Sequence, residues 1–264
     1  MRRRNKGMYM DNQSYSISDV MELCLLAGKL MLEGGAETHR VEDTITRLAM
    51  NYRVETINVF STPTAIIVSM REENTPSDYT KLVRIHDRST NLQLITLVND
   101  LSRRAGRDRL SLQEARNELL KIQKSPAVYS TLVHIIAAVL GSGCFTLMFQ
   151  GSYADFFPSV LAGGVGYSLF LAFRRFVSVK FFSEVVSSFT IGLIARICVH
   201  FGFGVQLDKI IIGSVMPLVP GLLITNAIRD LMSGDLFSGL SRGAEAFLTA
   251  FAIGTGIAFV IAAG

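Results

Sequence analysis

Six ionisable side chains crowd the stretch "EGGAETHRVED": Glu33, Glu37, His39, Arg40, Glu42 and Asp43 fall within eleven positions, and Gly34 and Gly35 directly follow the first of them. Read as a helix, His39 lies three residues before Glu42 and four before Asp43, so all three share one face. An imidazole with two carboxylates on one face is a set for holding a divalent metal or relaying a proton, although these spacings match no specific metalloenzyme motif. Carboxylates near a helix start are also favoured by the helix dipole, with no ligand required. A third reading makes Glu37, His39, Glu42 and Asp43 a gating or interaction surface. Residue types alone leave the three open.

A second constellation is "MPLVPGLLITNAIRDLMSGD", residues 216–235, where Pro217 and Pro220 sit inside an apolar run and Gly221 follows at once. Each proline removes a backbone donor and an intrahelical bond. Asp208 and Arg229 mark the ends of this run, so a helix crossing a membrane here breaks near its middle. Such breaks are tolerated where they face protein or a water-filled cavity, and transporters use the freed backbone groups to hold solute. A plain kink is the competing reading; Asn226, Arg229 and Asp230, just past the break, favour a solute site. In the preceding run Arg196 needs a partner on another helix or an anionic solute. Glu184, twelve residues earlier, is about 18 Å away along a helix and out of reach. The candidate substrate-binding residues are therefore Pro217, Pro220, Gly221, Asn226, Arg229 and Arg196. Glu184, Asp230 and Glu245 are the carboxylates available for proton coupling, with snorkelling to the interface the simpler role for Glu184 and Glu245.

The elements that must position these residues follow from composition. Residues 1–125 hold 19 Lys+Arg and 16 Asp+Glu, whereas residues 126–264 hold 7 and 6. The mean hydropathy of +0.37 thus averages an ordinary soluble segment with a very apolar one. The net charge of +4 is split nearly evenly, +3 and +1, too weak to argue for nucleic acid. The tip "MRRRNKG" is expected to be disordered over residues 1–15 and to favour anionic lipid; no apolar core follows it, so it is not read as a signal peptide. Cys24, Cys144 and Cys198 fit no metal spacing and are expected to be small buried hydrophobes.

Five apolar runs, about 128–150, 156–174, 182–203, 207–228 and 243–263, each approach the roughly twenty residues a helix needs to span a bilayer. Lys121, Lys124, Arg174, Arg175, Lys180, Arg229 and Arg242 flank alternate ends, while the intervening loops hold only Lys209. The positive-inside rule then puts the amino end in the cytoplasm and the carboxyl end outside a cytoplasmic (inner) membrane. Before them, residues 16–125 read as an α+β domain. Apolar residues Val20, Leu23, Ala27, Leu30 and Met31 mark a helix stopped by Gly34 and Gly35, and a second helix starts near Ala36. "VETINVF", "TAIIVSM" and "TKLVRIH" predict three strands. Two further helices follow, one capped by Ser89 or Thr90 and closed by Gly106, the other opened by the Ser111–Glu114 capping box and ended before Pro126. The fold class expected is an α+β N-terminal cytoplasmic domain followed by an all-α membrane domain of five transmembrane helices over 126–264.

"GGAETHRVEDTITRLA" with "VFSTPTAIIVSM" resembles the amino-terminal domain of the threonine/serine exporter family, and "MPLVPGLLITNAIRDLMSGDLFSGLSRGAEAFLTAFAIGTG" is similar to that family's second signature. The resemblance runs over about residues 15–264. It implies proton-driven secondary export of a small solute, threonine and serine or, in a two-component branch, succinate. It implies no catalysis, no cofactor and no metal. Fused members carry a second hydrophobic half, so the chain is similar to the larger component of a split exporter acting with a small second membrane subunit. Five helices without an internal repeat lead us to expect a homo-oligomer or a complex with the missing half. The alternative from another class is a membrane-anchored metal-dependent enzyme or sensor whose chemistry lies in "ETHRVED".

Overall fold

A computed structural model describes residues 15–52, 54–72, 77–125, 129–177, 179 and 181–263. Nearly all of the expected basic tip, residues 1–14, and Lys180 lie outside these. The chain divides into two compact units, Met1–Ser125 and Pro126–Gly264.

In the first unit, helices α1 (Ile17–Glu33), α2 (Thr38–Asn51), α3 (Leu92–Arg107) and α4 (Leu112–Lys124) accompany strands β1 (Val54–Thr62), β2 (Ala65–Glu72) and β3 (Tyr79–Arg84). The strands form one antiparallel sheet in the order β1-β2-β3, with Val59 opposite Val68 and Ile67 opposite Leu82. Alternation sends Ile66, Val68 and Met70 of the central strand into the core. There they join α1, which is buried almost all round, and Val41, Ile45 and Leu48 of α2. Buried Cys24 belongs to this core, and desolvation pushes its thiol well above the ordinary range.

The Gly-Gly pair ends α1 through a left-handed cap. The Gly35 N–H bonds to the Leu32 carbonyl at 3.0 Å and the Ala36 N–H to that of Met31 at 2.9 Å. Gly35 has φ +85°, and a Cβ there would sit 3.0 Å from the Ser89 carbonyl oxygen, so both backbone angle and space require glycine. The cap of α3 is Asn91, not Ser89 or Thr90: its side chain accepts from the Leu94 N–H at 3.0 Å. Gly106 lies within α3 rather than closing it.

In the second unit, α5 (Thr131–Met148), α6 (Tyr153–Phe176), α7 (Phe182–His200) and α10 (Leu236–Ala262) are each long and apolar enough to cross a bilayer. The fourth apolar run is two helices, α8 (Leu207–Val215) with a 3-10 turn at Met216–Leu218, and α9 (Gly221–Met232), bent by 63° to one another. The expected fifth helix begins at Leu236, seven residues before position 243, so Arg242 lies inside α10 and does not flank the turn. Cys144 is exposed on α5, not buried.

Buried hydroxyls join α5, α6 and α8. Thr146 Oγ1 donates to Ser159 Oγ at 2.7 Å, and Ser214 Oγ to the Ser159 carbonyl at 3.1 Å. Polar bonds of this kind hold membrane helices where lipid gives no hydrophobic drive. In the first unit the drive is apolar burial, and Ile45→Ala should destabilise that unit by about 2–4 kcal/mol through transfer loss and a residual cavity. Chemical denaturation of the full chain, followed by a probe in the first unit, measures it.

Candidate functional site

The charged stretch is tied into its own unit. Glu37 is the N-cap residue of α2, is buried, and lies 3.6 Å from His39 Nε2. Glu42 Oε1 accepts from the Ser61 N–H at 2.8 Å and from its hydroxyl at 3.2 Å, joining α2 to the end of β1. Asp43 pairs with Arg47 one turn on, and Arg47 reaches Asn99 and Ser102 of α3 at 3.4 and 3.3 Å. The His39 side chain is half exposed. Among the described residues no three His, Cys, Asp or Glu side chains gather where they would hold a metal ion.

The broken span has different chemistry. After α8 the Val219 N–H bonds to the Met216 carbonyl at 3.2 Å and the Gly221 N–H to the Val219 carbonyl at 2.8 Å, while Pro217 and Pro220 offer no donor. The α8 side of the break is packed: Leu218 is buried, and Gly213 meets α5 so closely that a Cβ would collide with Thr146. The α9 side is open, and a Cβ on Gly221 would meet nothing within 4 Å. Beside the break lies a cavity of about 260 Å³, lined by Pro217, His134, Gly141, Phe145 and Tyr167. His134 and Tyr167 are polar groups that sequence reasoning passed over, because one sits at the start of an apolar run and the other within the next. A larger cavity of about 580 Å³, between α9 and α10, is lined by apolar residues such as Ile224, Ile228, Leu231 and Phe247 and suits no polar solute.

The remaining candidates are dispersed. Asn226, half-buried, and Arg229, exposed, lie on α9 past the break. Asp230 is fully buried and paired across to α10 with Arg242, Nε to Oδ2 at 3.3 Å. Glu245 is half-buried one turn beyond Arg242. Glu184 lies in the first turn of α7, where the dipole favours it, and accepts from Ser183 Oγ at 2.9 Å. Arg196 is placed elsewhere: its Nη1 donates at 2.9 Å to the carbonyl of Val260, in the last turn of α10, where helical carbonyls lack intrahelical partners.

Residues 22–263 match the family described as "Putative threonine/serine exporter". The chain belongs to this family. Within it and around it, the chain is 25% identical over 248 residues to the "Probable succinate transporter subunit YjjP" of Escherichia coli K12, covering 92% of this chain and 93% of that protein. It is 21% identical over 232 residues to the "Probable threonine/serine exporter" of Mycobacterium tuberculosis, covering 88% of this chain and 44% of that protein. It is 26% identical to the "Pheromone-regulated membrane protein 10" of Debaryomyces hansenii, over 90% of this chain and 23% of that one. No solved structure matches the chain. Membership in an exporter family and four apolar helices, five with the bent pair, describe a multi-pass membrane protein of a transport family.

One buried carboxylate was missed outright. Asp155 is fully buried; its Oδ2 accepts from the Ser152 N–H at 2.9 Å, and its Oδ1 from the N–H groups of Val205 and Gln206 at 2.6 and 3.1 Å. It ties the start of α6 to the segment entering α8. The Ser152-x-x-Asp155 spacing of a capping box was the available signal. Asp155→Ala should therefore lower stability by about 3 kcal/mol and Asp155→Asn by less, since a carboxamide oxygen still accepts. Thermal unfolding of the detergent-purified chain compares them.

Proposed function

We propose that the chain is a subunit of an exporter that moves a small carboxylate-bearing metabolite out across the cytoplasmic membrane. The solute is threonine and serine, or a dicarboxylate such as succinate, and the proton-motive force drives it. The observation that carries this reading is the membrane span broken at Pro217, Pro220 and Gly221 beside a cavity large enough for a metabolite of four or so carbons, in a chain of an exporter family. Irregular backbone at membrane depth is stable only against protein or water, and its unused carbonyls are ready solute ligands.

In this reading Pro217, Pro220 and Gly221 shape the site, and Asn226 and Arg229 line its approach. Arg196 serves at the far end of α7 and α10, as the cap on Val260. Glu184, Asp230 and Glu245 remain the carboxylates for coupling. Glu37, His39, Glu42 and Asp43 belong to a cytoplasmic domain that gates or contacts a partner. The amino end is cytoplasmic and the carboxyl end outside. The word "subunit" in the Escherichia coli relative's name supports a second membrane subunit or a homo-oligomer.

Export from cells loaded with a threonine-containing dipeptide, or with succinate, tests the reading. Pro220→Ala restores a helix donor and straightens the break; export of the transported solute should fall about tenfold or more with the protein still in the membrane. Arg196→Ala should lower the amount of folded protein while leaving export per molecule within about threefold. Export at the unaltered rate in Pro220→Ala would remove the break from the mechanism.

A further inference from the structure

The cavity beside the break has two polar side chains in an otherwise apolar lining: His134 from the first turn of α5 and Tyr167 from the middle of α6. Small and apolar residues, Gly141, Phe145 and Pro217 among them, supply the rest. The imidazole is oriented by its own helix. His134 Nδ1 lies 3.1 Å from the carbonyl oxygen of Ser130, the N-cap of α5. A carbonyl can only accept, so Nδ1 carries the hydrogen of that bond and the neutral ring presents Nε2 as an acceptor. Among the described residues no other hydrogen bond reaches the ring, and none reaches the Tyr167 hydroxyl. Both polar groups of the cavity thus retain capacity to bind.

The charges around the ring are few. From α6, Tyr167 is the titratable group of the lining, and Arg174 follows seven positions on, its guanidinium 5.9 Å from the Phe170 ring centre. Tyr129, just before α5, meets the imidazole edge-on with ring centres 6.4 Å apart. The 3-10 turn contributes Pro217, and the charges of α8, Asp208 and Lys209, stand at the other end of that helix. Among the described residues no Lys, Arg, Asp or Glu lines the cavity. A dianion would leave water there with no fixed cation to receive it, whereas a zwitterion brings its own counter-charge. We propose that His134 is the proton-exchange group of transport: its neutral Nε2 accepts a hydrogen from the solute's ammonium, the Tyr167 hydroxyl donates to the carboxylate, and protonation of Nε2 releases the solute. The ligand class is a small zwitterionic amino acid. A proton taken from the outer side occupies the lone pair that held the ammonium and sets two positive charges face to face. Proton and solute therefore exclude each other. The proton is then given up to the cytoplasm, so one enters for each solute that leaves. An imidazole suits this exchange because it changes charge between about pH 5 and 8. Glu184, Asp230 and Glu245 are not among the residues lining the cavity. This inference rests on the transport reading above and narrows its solute and its coupling group.

The test uses the full-length chain, in cells for export and purified in detergent for binding, with threonine, succinate and 3-hydroxybutyrate as probes. The last keeps the hydroxyl and carboxylate of threonine without its ammonium. Half-maximal thermal stabilisation should need about tenfold more threonine for each unit the pH falls below the imidazole's midpoint, because the neutral ring is the form that binds. Succinate and 3-hydroxybutyrate should bind several-fold more weakly than threonine. His134→Gln keeps an acceptor that does not titrate; it should weaken threonine binding several-fold near pH 8, flatten the pH profile and abolish the acceleration of export by an acidic medium. Tyr167→Phe should weaken binding several-fold and keep the profile. Gly141→Leu places a side chain where a Cβ meets nothing within 4 Å; it should accumulate and lose threonine binding. The proposal is overturned if His134→Gln keeps the unaltered pH profile, if the unaltered chain binds threonine more tightly as pH falls, or if succinate binds as well as threonine. Export of threonine or succinate alongside any of these results leaves the transport reading standing. Should His134→Gln fail to accumulate, Gly141→Leu decides, because unaltered threonine binding with the cavity filled also overturns the proposal. If cells carrying the unaltered chain export neither threonine nor succinate, the transport reading itself falls.

Discussion

A peptide group in hydrocarbon has no water to bond, and the membrane unit is arranged around that constraint. Ordinary helix interiors satisfy it by themselves, so the informative places are the ends and the break. The entry to α8 depends on Asp155, which collects the N–H groups of Val205 and Gln206. The last turn of α10 depends on Arg196, which donates to the Val260 carbonyl. Between helices, the Thr146 hydroxyl bonds to that of Ser159, and the Ser214 hydroxyl to the Ser159 carbonyl. Ionic and polar side chains in this unit act first as substitutes for water.

The same constraint gives the break its two unlike sides. Gly213 and Leu218 press the α8 half against its neighbours. The α9 half leaves the break at an angle and packs on α10. The prolines therefore separate a fixed half-helix from one whose placement is set by a different partner. A continuous helix in this position would bind the two bodies rigidly together.

Apolar run length made the spans legible, since about twenty residues of hydrocarbon-compatible sequence leave few other readings. Their ends were less legible where charge enters a buried seam. α10 was expected from position 243 because Arg242 and Glu245 depress the apolar signal there, although Ser238, Arg242 and Glu245 keep helical spacing. The stretch "EGGAETHRVED" shows the opposite failure. Its residue types invited a metal, but Glu42 answers to Ser61, nineteen positions later on a strand, and Asp43 to Arg47. No spacing within the stretch reveals a partner on β1. Gly35 was legible as a stop, because a left-handed cap is a local requirement. The Asp230–Arg242 pair was not, because it spans a turn whose position was itself misjudged.

Charges in the membrane unit number only 13 in 139 residues, so each invites a separate account. Asp155 and Arg196 hold backbone atoms at helix ends, which a bilayer demands of any sequence. Glu184 accepts from the neighbouring serine and faces a favourable dipole. Asp230 and Arg242 hold each other in a hairpin already closed by Gly234 and packed at Gly239. Burying two charges is costly, and removing either partner would leave the other uncompensated inside the hairpin.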